Sequence, residues 1–237
     1  MPGRPIMIVS LTVDPEREAE FNDFYHHRYI PKLLNAVPEL ISARRYEEFN
    51  VEGSLRWFTK RFLTIYEFAS EAVIDQAMED LARPEREQDR AEWDRWKASH
   101  LHDVARVIYG ETYAHKRVPW DGPFGSRPFF LVSVEADPQQ EPDFTVWYET
   151  EYLPKNLADV PTWAACRRYT SLDREPTRYQ TIYEAWSEEG LKESLRLMRA
   201  PHRLGENAAW HKWDSGERPA ITWEDATSFT PIFRYPG

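Results

Sequence analysis

A single cysteine, Cys166, leaves this chain of 237 residues without a partner for an internal disulfide and without a thiolate set for zinc. Glycine is scarce at nine residues, and no GxGxxG or other phosphate-cradling glycine loop occurs. The GxSxG turn of a serine hydrolase is missing too. Positive charge is in the minority: 30 Lys and Arg face 40 Asp and Glu, a formal net charge of −10 that argues against a nucleic-acid backbone as partner. No apolar run approaches the roughly 18 residues that a membrane span requires. The opening "MPGRPIMIVSLTVDPE" turns charged too soon for a secretory leader. A cytoplasmic protein with no membrane partner is expected.

What the chain does have is aromatic bulk, with 41% hydrophobic residues and ten tryptophans, enough to bury a core. It also repeats itself. Sliding the sequence by 123 residues aligns 8–46 with 131–169, and sixteen of those thirty-nine positions are identical, which marks a duplication. "FYHHRYIPKLLNAVP" returns as "WYETEYLPKNLADVP". Further on, "TIYEF" matches "TIYEA" at a shift of 117, as do Trp93 and Trp96 with Trp210 and Trp213. Copies of this length are domains, not solenoid units. The expected division is a first unit over 1–114, a Pro- and Gly-rich linker over 115–127, and a second unit over 128–237.

Each copy reads β-α-β-β-α-β. "PIMIVSLTV" has the β-branched, apolar run of a strand. Asp14-Pro15 then starts a helix whose apolar face carries Phe21, Phe24, Tyr25, Tyr29 and Leu33. "ELISARRYEEF" and "RWFTKRFLTIYEF" read as strands and "SEAVIDQAMEDLA" as the second helix, with an extra helix over "PEREQDRAEWDRWKASH" before the last strand. The fold class is α+β: two tandem ferredoxin-like units, with their antiparallel sheets expected to pack face to face as an α/β barrel.

The tyrosine-bearing helix, its aliphatic-Pro step, the following "VP" and the "ARRY" strand resemble the dimeric α/β-barrel superfamily, nearest its EthD-like members, here fused in tandem. The resemblance implies a pocket in each unit between sheet and helices, and a homodimer of the fused chain. It implies no particular reaction, since the superfamily holds oxygenases, isomerases, cyclases, haem proteins and members without known activity. The family's usual histidine two residues before the proline is a tyrosine here, Tyr29 and Tyr152, and a phenol suits hydrogen-bond donation better than base catalysis.

Other candidates come from the residues themselves. His26 and His27 have no counterpart in the second copy, which carries Glu149 and Thr150, and histidine titrates near neutral pH. Alternation sends Arg44 and Arg45 to opposite faces of their strand. Arg44 is a candidate clamp for an anionic substrate, and the competing and simpler reading is an ion pair with an acidic neighbour such as Glu67 or Glu184. Phe24, Tyr25, Tyr46, Tyr66, Trp93 and Tyr152 are the expected aromatic lining. His100 and His102 beside Asp103 are a thin basis for a metal site, and none is expected. The expected activity is cofactor-independent proton transfer on an aromatic or oxygenated ring compound, of isomerase, cyclase or lyase type. The alternatives are a cofactor-free or haem-dependent oxygenase and a non-catalytic ligand-binding protein.

Overall fold

The computed structural model describes residues 3–50, 60–117, 125–216 and 219–236. Strand β1 (Ile6–Val13) sends Ile6 and Ile8 to one face and Met7, Leu11 and Val13 to the other, as a strand buried on both sides must. Helices α1 (Glu18–Phe24) and α2 (Ile30–Ala36) form one continuous rod interrupted by a π turn over Tyr25–Tyr29. Pro31 follows just after this turn. Proline offers no N–H, and the Ile30 amide reaches back to the Tyr25 carbonyl, widening the turn. Strands β2 (Leu40–Glu48) and β3 (Arg61–Phe68), helices α3 (Ile74–Ala82) and α4 (Glu87–Ser99) and strand β4 (Leu101–Lys116) complete the first half.

The second half repeats the order: β5 (Phe129–Ala136), α5 (Glu141–Trp147), a π turn at Tyr148–Tyr152, α6 (Leu153–Asp159), β6 (Trp163–Ser171), β7 (Arg178–Ala185), α7 (Glu188–Met198), α8 (Leu204–Asp214) and β8 (Ile221–Tyr235). Both halves are ferredoxin-like. Residues 118–124 of the expected linker lie outside the described residues, and His115 and Lys116 belong to β4. Residues 51–59, which include the start of the strand expected over "RWFTKRFLTIYEF", also lie outside them.

The sheets do not stack as two separate layers. All strands join one antiparallel ladder in the order β1-β3-β2-β8-β5-β7-β6-β4, and β4 pairs again with β1. This corrects the expected face-to-face packing of two sheets. The reason is the length of the last strand of each half. Over its 16 residues β4 pairs with β1 up to Tyr109 and then with β6, and the 15 residues of β8 pair with β5 up to Phe229 and then with β2. Each half's final strand therefore ends in the other half, and no boundary between two sheets is left.

Inside the ladder, Tyr46, Ile65, Tyr109, Phe129, Tyr169 and Phe229 belong to one apolar cluster drawn from both halves. Outside it, each half's helices cover a stretch of sheet over a buried cluster of that half, against which residues of the other half, Phe233 and Tyr113 among them, also pack. No helix among the described residues is long and apolar enough to cross a membrane.

Because the inner cluster is shared, the halves should unfold together. A single urea transition is expected, with the same midpoint by far-UV circular dichroism and by tryptophan fluorescence. Phe229→Ala should lower the stability of the whole chain by about 3–5 kcal/mol. Two resolved transitions would contradict a shared core.

Candidate functional site

Between the outer face of the first-half sheet and helices α1 to α4 lies a cavity of about 480 Å³. The π turn shapes it. Tyr25 and Tyr29 leave that turn with their rings stacked 5.3 Å apart, and Trp93 from α4 stacks on Tyr29 at 5.2 Å. Tyr66 rises from β3, its hydroxyl 2.8 Å from that of Tyr25. Four of the expected residues, Tyr25, Tyr29, Tyr66 and Trp93, thus line one cavity. Tyr152 lines the equivalent cavity of the second half, about 270 Å³, together with Tyr148, Tyr183 and Trp210.

The remaining expected residues are elsewhere. Phe24 is buried beneath the helices, stacked on Trp96 at 5.9 Å. Arg44 and Tyr46 lie on the inner side of the ladder, because Ala43 and Arg45 take the helix-facing positions of β2. Arg44 donates to the carbonyls of Ala43 and Tyr235, both at 3.0 Å, and Tyr46 donates to the Gly125 carbonyl at 2.7 Å. His26 and His27 do not line the cavity either. His26 lies flat on Phe233 with ring centres 4.4 Å apart, and His27 is exposed and meets the same ring edge-on. His100 and His102 both bond the carboxylate of Asp14, at 3.0 and 2.8 Å, rather than Asp103. Among the described residues, no cluster of three His, Cys, Asp or Glu side chains is placed to hold a metal ion.

Arg86 is the residue that sequence reasoning missed. It sits in a short turn, Pro84–Arg86, at the start of α4, and is buried to 6% exposure. Its guanidinium stands against the Tyr29 hydroxyl and also donates to the Leu81 carbonyl at 3.3 Å. The signal was present in the sequence: "PER" at 84–86 returns as "PHR" at 201–203, at the same shift of 117 that pairs the tryptophans. Arg203 stands against Tyr152 in the second half in the same way.

These neighbours fix the state of the phenols. Burial pushes Tyr29 far above the ordinary tyrosine range, with Tyr25 adding to the shift and Arg86 opposing it. Tyr25 is also raised by burial, opposed by its hydrogen bonds to Thr64 and Tyr66. Both hydroxyls stay protonated at neutral pH and are donors. Around the mouth stand Arg90, Lys97 and Arg106, with Asp94 the one carboxylate among the described lining residues. An oxyanion in the cavity would meet a phenol donor backed by guanidinium groups.

Behind the cavity, Arg45 is fully buried with its guanidinium over the rings of Phe62, Tyr25 and Phe21 at 4.7, 4.8 and 5.1 Å. Its counterpart Arg168 donates to Glu149 at 2.8 Å, but in the first half that position is His26, whose Nε2 lies 2.9 Å from Arg45. Burial and the adjacent Arg45 charge push the His26 ring down to about 3, so it is a neutral acceptor. Arg45 itself is lowered to about 10 by burial.

No protein-family model matches the chain, and no curated protein matches it. Solved structures do share its fold. An anthrone oxidase-like protein superposes with a TM-score of 0.69 at 12% identity, over 98% of this chain and 93% of that one. A provisionally named monooxygenase of Fusobacterium nucleatum gives 0.60 at 8% identity, over 99% and 95%. A second provisionally named monooxygenase, from Lactobacillus acidophilus, gives 0.54 at 10% identity, over 97% and 94%. At these identities the likeness establishes the duplicated ferredoxin-like fold.

The histidine gives a prediction with a definite sign. In the unfolded chain the ring of His26 takes a proton near pH 6.5, and in the folded protein only near 3. Between those values the unfolded state binds more protons, so the contribution of His26 to stability falls as pH drops through that window. The NMR resonances of this ring should not titrate above about pH 4. The melting temperature should fall less between pH 6.5 and 4 in His26→Gln than in the parent. A ring titrating near its ordinary value would refute the neutral assignment.

Proposed function

We propose that the chain is an oxidoreductase that uses the first-half cavity to bind a polycyclic phenol or enolisable ketone and oxidise it with dioxygen. The observation that carries this is the Tyr29–Arg86 pair inside an aromatic cavity with a cationic rim. Such a site lowers the free energy of a substrate anion. A CH2 group beside a carbonyl or aryl ring loses a proton, for which Asp94 at the mouth is a carboxylate acceptor. The resulting carbanion is electron-rich enough to reduce dioxygen directly. The balance is CH2 + O2 → C=O + H2O, with one oxygen atom retained and the other leaving as water, and the substrate supplies every electron. Tyr29 holds the oxyanion by donation, and Arg86 keeps that donor oriented while adding positive charge. The stacked rings of Tyr25, Tyr29 and Trp93 match a flat polycycle.

This reading corrects the isomerase, cyclase or lyase expectation. The three structural neighbours are named for oxidations. His26, His27 and Arg44 have no part in it, since they lie away from the cavity.

Anthrone is a suitable probe, followed with an oxygen electrode. Oxygen uptake equal to substrate consumed is expected, with one atom of ¹⁸O2 appearing in the product. Tyr29→Phe and Arg86→Gln should each lower kcat/KM about 100-fold or more, with the Tyr29→Phe melting temperature unchanged. Full activity of Tyr29→Phe at a lowered melting temperature would assign the hydroxyl to the fold and remove the proposal. A Soret band that tracks activity across preparations would move the oxidation onto haem.

A further inference from the structure

The two cavities share their aromatic walls and differ in the charges around them. In the ladder Val9 pairs with Arg106, and the equivalent Val132 pairs with Ala226. Two residues earlier on the same strands, Val104 of the first half corresponds to Glu224 of the second, and each lines its cavity. On the last helix, the shift of 117 replaces Arg90 with Asn207, Asp94 with His211 and Lys97 with Asp214. The buried arginines behind the tyrosines differ too. Arg203 donates to Asp159 at 2.9 Å, whereas the position equivalent to Asp159 in the first half is Ala36. The second half thus neutralises its buried cation and loses the cations at its rim, while its lining keeps one carboxylate, Glu224 in place of Asp94.

We infer that the second cavity is a separate binding site for a small aromatic ammonium compound, a single ring carrying a protonated amine. Tyr148, Tyr152, Tyr183 and Trp210 line it, and the negative face of an aromatic ring attracts a cation that has shed its water. Glu224 stands at the mouth near enough to Tyr152 to oppose ionisation of its phenol. No lysine or arginine pairs with Glu224 among the described residues. His211, which also lines the cavity, leans on Asp214 at 3.5 Å. Partial desolvation and the nearby Asp214 hold Glu224 above its ordinary range, and a bound ammonium would supply the opposite charge. The volume of about 270 Å³, little more than half that of the first cavity, suits one ring rather than three. The site stands whether or not the first cavity oxidises its ligand.

The test is calorimetric titration of the full chain with phenethylammonium at pH 8. One saturable site is expected. Glu224→Gln should weaken it about tenfold, the loss of one hydrogen bond to a charged group, at an unchanged melting temperature. Trp210→Leu should weaken it as well, and Glu224→Lys should invert the preference toward phenylacetate. No saturable binding, equal binding of phenylacetate by the parent protein, or equal affinity in Glu224→Gln would each overturn the assignment.

Discussion

Backbone hydrogen bonding along β4 and β8 is the constraint from which the rest of the molecule follows. A strand with one free edge exposes a row of unpaired amides and carbonyls, and these two long strands remove that edge by changing partners midway. Where they change partner, Tyr109 and Phe229 point into the inner cluster. That interior is filled by side chains from both halves. The two aromatic cavities accordingly lie on the outer face, between the sheet and the helices, one in each half.

Buried arginine is the second theme. Arg167 lies 3.4 Å from Glu184 on the inner face, where burial raises the carboxyl and the nearby Arg167 and Arg127 oppose that shift. Such pairs gain less than their contact suggests, because both ions have lost their water. On the outer face carboxylates compensate Arg168 and Arg203, and aromatic rings and phenols share the task. Arg45 and Arg168 lie among aromatic rings, and Arg86 and Arg203 bear on tyrosine hydroxyls. The weak hydration of guanidinium and its flat shape make this feasible where lysine would not be. The choice of counter-group, Glu149 or His26 and Asp159 or Ala36, then sets how much positive charge each cavity feels.

Much of the fold was legible because its signals are local. The β-branched run at Ile6–Val13, Asp14-Pro15 before a helix, and the aromatic spacing of Phe21, Tyr25 and Tyr29 each act over a few residues. The exchange of strands between halves was not legible. It depends on β4 running on to Lys116, and the sequence there alternates no differently before and after Tyr109. At the site, the tyrosines and Trp93 were found through their repetition and helical spacing. The phase of β2 was not: which of Arg44 and Arg45 faces the helices depends on a register shift between Leu40 and Ser42. Arg86 was missed because nothing in its own turn joins it to Tyr29. Only the packing of α4 on the π turn does that.

The covalent linkage of the two copies has a consequence for change over time. When two identical chains make such a molecule, every substitution is written into both cavities at once, so neither can alter without the other. Here a substitution is written once. Position 26 is histidine while 149 is glutamate, and 224 is glutamate while 104 is valine, on one shared ladder. Each cavity is therefore free to acquire its own ligand while the other keeps the tolerance it already had.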